Sequence, residues 1–156
     1  MRRKDRQRDE AFAWNVIKKC DYAAFCCTEP DGSPYSVPIC PAVLGDSVYF
    51  HCALEGKKLD ILKKDNRVCL SAVSRAKAVE DKYTMEFDSA VLFGTAEIVE
   101  DDSEKIAALR AICDKYAPSN KDGFEAAVKR SLFRTGIVRI NVTSLTGKQK
   151  RLKPTD

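Results

Sequence analysis

At 156 residues and 17.4 kDa the chain is the length of one domain, and 44% hydrophobic with 32% charged residues excludes a disordered or collagenous protein. No run approaches the roughly 18 apolar residues of a membrane span, and no apolar segment follows the basic start Met1-Arg2-Arg3-Lys4-Asp5-Arg6, so a cytoplasmic protein without a membrane partner is expected. The net charge of +4 sits in the ends, +4 over residues 1–8 and +3 over 148–156 against −3 between them; such ends read as solvated tails or arms reaching an anionic ligand, and no nucleic-acid partner is expected.

No repeat, low-complexity tract or linker divides the sequence, so residues 1–156 are read as a single domain. Asp9 caps a predicted helix over 9–20, with Phe12, Val16 and Cys20 on one face. Residues 22–28 follow as an apolar strand, and Glu29-Pro30-Asp31-Gly32 turns the chain. Tyr35 to Leu44 is a second strand, an edge or a bulged one, because Pro38 and Pro41 each remove a ladder donor. Gly45-Asp46 turns it into a third, Ser47 to Ala53, in a tight antiparallel hairpin. Gly56 to Lys64 is a short helix with Leu59 and Leu62 inward. Arg67 to Ser74 and Phe87 to Val99 are further strands, the second bent at Gly94. A helix over 101–117 places Ile106, Leu109 and Ile112-Cys113 on one face and ends at Pro118. A short helix, Phe124 to Phe133, and a last strand, Thr135 to Val142, complete the order. Strands joined by short turns predict a mostly β protein with flanking helices, its six strands closing into a small antiparallel barrel.

Several chemistries are missing. Neither a dinucleotide fingerprint nor a P-loop occurs, and the only histidine, His51, has no serine-nucleophile motif near it. The seven cysteines show no metal-ligand spacing, so no metal is expected and the thiols read as reduced and mostly buried. Asp101-Asp102 lies at a helix start, where acids favour the dipole.

The informative run is Tyr49-Phe50-His51-Cys52-Ala53-Leu54-Glu55-Gly56-Lys57-Lys58-Leu59-Asp60. A strand runs out, a loop carries a glycine, and a helix begins beside two lysines. Unpaired N–H groups, a glycine that admits close approach, and Lys57 or Lys58 as full charges make the chemistry of a phosphate site. The same residues also make an ordinary loop–helix junction with solvated lysines.

Residues 48–59 resemble the "YFH-x-A-x-x-G-x-K-L" stretch of the pyridoxamine 5'-phosphate oxidase-like FMN-binding proteins, and most of all their nitroimidazole-resistance branch. Other pieces agree in order: Arg2-Arg3-Lys4-Asp5, the hairpin Asp31-Gly32-Ser33-Pro34-Tyr35-Ser36-Val37-Pro38, Asn66-Arg67-Val68, the strand Phe87-Asp88-Ser89-Ala90-Val91-Leu92-Phe93-Gly94, and the closing Thr146-Gly147-Lys148. The resemblance spans roughly residues 2–150.

It implies a split β-barrel that forms a homodimer, with FMN in each of two clefts between subunits. Lys58, helped by Lys57 and Gly56, would hold the phosphate. Val37, Pro38 and Ile39 would run along the flavin edge, and Phe50, His51, Cys52 and Ala53 would flank the ribityl chain and ring. Ser89 and the partner's Lys148 or Arg151 are further candidate contacts. His51 falls where the nitroimidazole-resistance branch has a histidine near the flavin, so it is the candidate catalytic residue; as an ordinary histidine on a sheet face it would have no such part. An FMN-dependent oxidoreductase acting on a small molecule, a nitroaromatic by resemblance to that branch, with an electron donor, is the expected function. The alternative is a flavin- or haem-binding module without turnover. The chain departs from the family at Ile39-Cys40-Pro41, where an aromatic or polar pair is usual, and at Cys52, often Gly or Ser; both lie on the substrate side of the expected pocket.

Overall fold

The computed structural model describes residues 2–152. A 3-10 turn at Lys4–Arg6 leads to β1 (Gln7–Arg8), and the Asp9 carboxylate then accepts the Phe12 N–H at 2.8 Å to start α1 (Glu10–Lys19). β2 (Ala23–Thr28) turns Ala23, Phe25 and Cys27 inward and Ala24 and Cys26 outward. It pairs with β3 (Pro34–Ile39) across a turn whose Gly32 takes a φ of 89°. β4 (Ala42–Leu44) and β5 (Ser47–Cys52) form a short hairpin, and α2 (Lys57–Leu62) follows. The long strands β6 (Arg67–Val79) and β7 (Thr84–Ile98), the helices α3 (Asp102–Tyr116) and α4 (Phe124–Ser131), and β8 (Gly136–Lys150) complete the chain.

Seven strands form one antiparallel path, β3-β2-β6-β7-β8-β5-β4, and β1 adds to β8. The two ends of that path, β3 and β4, are consecutive in sequence, with only Cys40-Pro41 between them. The sheet must therefore curl until its edges meet, and the seam is closed by the backbone rather than by a ladder. Phe25 and Phe50 confirm the curvature: they lie on strands that are not sheet neighbours, yet their rings are 5.2 Å apart. Within this concave face, Ala13, Val16 and Ile17 of α1 and Leu59, Ile61 and Leu62 of α2 join Phe25, Phe50, Leu70 and Leu92 in one core. α3 lies on the other side of β5, where Ala108 packs on Tyr49, Val99 and Ile137. It also clasps the seam: the Pro41 carbonyl accepts from Lys115 Nζ at 2.6 Å and from Tyr116 OH at 2.9 Å, and Lys115 reaches the Ile17 carbonyl at 3.0 Å.

The architecture is the antiparallel split barrel with flanking helices that the sequence predicts, but with eight strands in place of six. The second predicted strand breaks at Cys40-Pro41: its first part pairs with β2, and only Ala42–Leu44 forms the expected hairpin with β5. β6 and β7 run past the predicted Ser74 and Phe87 into a protruding ribbon, where exposed residues leave no hydrophobic alternation to read. β8 continues past Val142 to Lys150 because a register shift opposite Phe93/Gly94 absorbs Thr143. The basic ends are not tails over the described residues: Gln7 pairs with Lys148 and Arg8 with Gly147. Met1 and residues 153–156 lie outside the described residues. No described helix is long and apolar enough to cross a membrane.

Candidate functional site

The site grows from the alternation of β5. Val48 and Phe50 point into the barrel, while Tyr49 and His51 point the other way. Phe50 is fully buried, and Val37, Ile39 and Cys52 pack against the same core. The side chains of Phe50 and His51 therefore cannot meet one ligand from one face of the strand. Pro38 points outward from edge strand β3. Burial pushes the Cys52 thiol up, while the Lys58 charge draws it back down. Opposite the end of β5, Gly136 leaves room for the loop, since a methyl there would sit 2.7 Å from the Ala53 carbonyl oxygen and 3.2 Å from Cys52 Sγ.

His51 opens into a cavity of about 330 Å³ between β5 and the two helices α3 and α4. Leu109, Ile112, Phe124 and Val128 make it apolar. Two of its hydroxyls are already engaged: Ser131 donates to the Ala127 carbonyl at 2.7 Å and Thr135 to the Ser131 carbonyl at 2.8 Å. His51 and Cys113 remain as the lining side chains that can address a ligand. The helical wall was invisible as a site in the sequence. Leu109 and Ile112-Cys113 show only the periodicity of a buried helix face.

Beyond β5, Gly56 takes a φ of 137°, in the left-handed region, with open space where a side chain would be. It caps α2, whose six residues generate little dipole, so attraction for an anion rests on side-chain charge. The two lysines differ. Lys57 Nζ is 2.8 Å from Glu29 and 5.3 Å from the centre of the Tyr35 ring. Lys58 is half-buried, close enough to influence Cys52, and makes no ion pair among the described residues.

Ser89 and Lys148 lie elsewhere. They pair with each other at the far end of β7 and β8, where Ser89 Oγ faces the Lys148 carbonyl at 3.5 Å and Lys148 Nζ sits 5.7 Å over the Phe87 ring. Cys52 pairs with Gly136, twelve residues away along β8. At about 3.3 Å per residue that is about 35–40 Å of strand. Lys148 therefore lies near the opposite end of β8 from the strand end that leads on to Lys58.

A curled antiparallel sheet with flanking helices and a covalent seam between its edge strands is the architecture of a split barrel. The sequence profile of pyridoxamine 5'-phosphate oxidase matches residues 10–149, and the chain belongs to that family. Among solved structures it is similar to a candidate 5-nitroimidazole antibiotic resistance protein from Bacteroides thetaiotaomicron, at 28% identity over 91% of this chain and 84% of that one, with a TM-score of 0.73. It shares its fold with a flavocytochrome from Azotobacter vinelandii (21% identity, 100% and 74% coverage, TM-score 0.80). The same holds for an FAD and heme binding protein from Mycobacterium smegmatis (20% identity, 97% and 76% coverage, TM-score 0.80). The comparison with curated proteins found no match.

Proposed function

We propose that the protein is a cytoplasmic FMN-dependent oxidoreductase that works as a homodimer and reduces a small aromatic compound, a nitroaromatic in the first instance. The observation that carries this reading is one strand–loop–helix segment. It aims His51 into an apolar cavity and, five to seven residues later, offers an open glycine and a lysine with no ion pair among the described residues. The residues present fit FMN: Gly56 lets a phosphate approach the backbone, and Lys58 supplies a charge not already committed to a carboxylate. With Lys57 tied to Glu29, one free lysine suits the single phosphate of FMN better than the diphosphate of a dinucleotide.

Bound FMN would supply the electron transfer to the aromatic substrate. The protein's own part is to hold and orient. The apolar wall of Leu109, Ile112 and Phe124 excludes water from a planar substrate, and His51 can position a polar group of that substrate or give it a proton. Dimerisation is supported by the distance between Lys58 and Lys148, which leaves the second to a partner's site. It is also supported by exposed apolar side chains away from the β2–β6 pair, Val73 on β6 and Met85 on β7, which are 49% and 48% exposed. Seven free thiols suit a reducing compartment.

The flavin- or haem-binding module without turnover is the second reading. In its haem form His51, the only histidine, would be the residue able to offer the iron a nitrogen ligand. One experiment separates the readings. The absorbance spectrum of the purified protein is recorded, FMN is titrated in, and a reduced nicotinamide donor and a nitroaromatic are then added. A flavin spectrum that bleaches and recovers with substrate consumption is expected. A flavin that stays silent leaves the module, a haem band replaces FMN by haem, and a protein that ignores FMN removes the proposal.

A further inference from the structure

We propose that Cys26 and Cys69 form a redox-active dithiol on the outward face of the sheet, which closes into a cross-strand disulfide on reaction with a small disulfide of the glutathione type. The two residues are registered directly opposite each other in the β2–β6 pair. Directly opposed residues in antiparallel strands have Cα atoms about 4.5 or 5.5 Å apart, and both spacings lie within the range of about 4.4–6.8 Å that a disulfide spans. Their orientation is fixed by the pleat: Phe25 and Cys27 flank Cys26, Val68 and Leu70 flank Cys69, and all four flanking residues are buried, so both thiols face the other way. They line one groove of about 310 Å³ with Thr28, Pro34 and Phe93, which gives a small reagent a place to approach.

The surroundings set the order of attack. Ser36 Oγ lies 3.3 Å from Cys26 Sγ, where its hydroxyl can donate to a thiolate. Cys69 is pushed up by burial and by the neighbouring Cys26 sulfur, which suits it to the second, resolving step. The Cys26 thiolate attacks one sulfur of the small disulfide, the reagent's S–S bond breaks, and one small thiolate leaves and takes up a proton. Cys69, deprotonated, then attacks the Cys26 sulfur of the mixed disulfide and expels the second small thiol. Two protein thiols are oxidised, one small disulfide is reduced to two thiols, and the two protons lost by the protein are carried by them. No other two cysteines are registered opposite each other: Cys27 faces Tyr35 and Cys52 faces Gly136 across their ladders, while Cys20, Cys40 and Cys113 lie outside the strands.

The test treats the folded protein with oxidised glutathione over a range of protein concentrations, blocks free thiols by alkylation, and maps the peptides by mass. The expected product is a Cys26–Cys69 cross-link with both residues protected from alkylation. Cys69→Ser should instead retain glutathione on Cys26, and Cys26→Ser should leave Cys69 largely unmodified. Full alkylation of both residues at every protein concentration, or a mixed disulfide on Cys26 of the wild-type chain that persists unresolved, overturns the proposal. The wild-type map needs no variant to fold. FMN titration of the same samples reports on the flavin reading separately, since the cross-link requires no flavin.

Discussion

Lys57 and Lys58 are adjacent, carry the same charge, and are employed differently. The first is held by Glu29, which comes from the β2–β3 turn 28 residues earlier; the second is left for a ligand. Lys58→Ala is therefore expected to weaken FMN binding about ten- to a hundredfold, because a charge-assisted contact contributes about 1.5–3 kcal/mol and each decade is about 1.4 kcal/mol. Lys57→Ala should shift the titration far less, and equal losses in the two variants would contradict the division of labour. His51→Ala should keep FMN affinity close to that of the wild type while turnover at saturating FMN falls by roughly 10². Full turnover in a folded His51→Ala protein would reduce the residue to a wall of the cavity. The sequence marks this segment as a cationic loop, but it cannot say which lysine is free, because Glu29 is not a sequence neighbour. Nor can it show that His51 and Phe50 serve opposite faces until the barrel gives β5 an inside.

At the level of elements, Gly94 is where β7 closely approaches the backbone of β8, beside the register shift at Phe93/Gly94. A methyl group there would collide with the Asn141 carbonyl oxygen on the neighbouring strand, a backbone atom that cannot swing aside. Gly94→Ala should lower stability by roughly 1–3 kcal/mol, read as a lower denaturant midpoint. Gly147 is the control: its new methyl would meet the Phe12 ring at 2.9 Å, a side chain able to shift, so Gly147→Ala should cost less. If the two substitutions cost the same, the close backbone approach is not what requires Gly94. Removing the α1 cap with Asp9→Ala should cost about 1 kcal/mol. The cap is legible in sequence because it depends on local chemistry. The ribbon ends of β6 and β7 are not. Their pairing is mutual, Lys77 with Glu86 and Val79 with Thr84, and an exposed two-stranded ribbon leaves no buried face to betray it.

For the whole molecule, the placement of Lys58 and Lys148 far apart on one chain makes a sharp expectation about assembly. Light scattering of the FMN-bound protein should give twice 17.4 kDa. If each site takes Lys58 from one chain and the partner's Lys148 from the other, Lys58→Ala and Lys148→Ala homodimers should each bind FMN poorly. Mixed and re-assembled, they should recover binding at one site per hybrid dimer, because one cleft then holds both intact lysines. Absence of recovery in verified hybrids would place both contacts on one chain or remove Lys148 from the site. Antiparallel β content and a closed barrel were readable from short turns and alternating strands, but the covalent seam that closes it was not. It follows from a topological fact, that the ends of the sheet path are neighbours in the chain, and no local pattern encodes it.

The position of β8 has a consequence for how the protein is made. It lies between β7 and β5, so without it the sheet falls into two halves, β3-β2-β6-β7 and β5-β4, each with a bare edge. Chain order puts it last among the described strands. During synthesis those two edges must wait, with hydrogen-bonding groups unpaired and β-rich segments exposed, until residues 136–150 leave the ribosome. The fold is then completed in one act of insertion rather than by growth from one end, and a chain stopped short of β8 loses the arch, not just a stone of it.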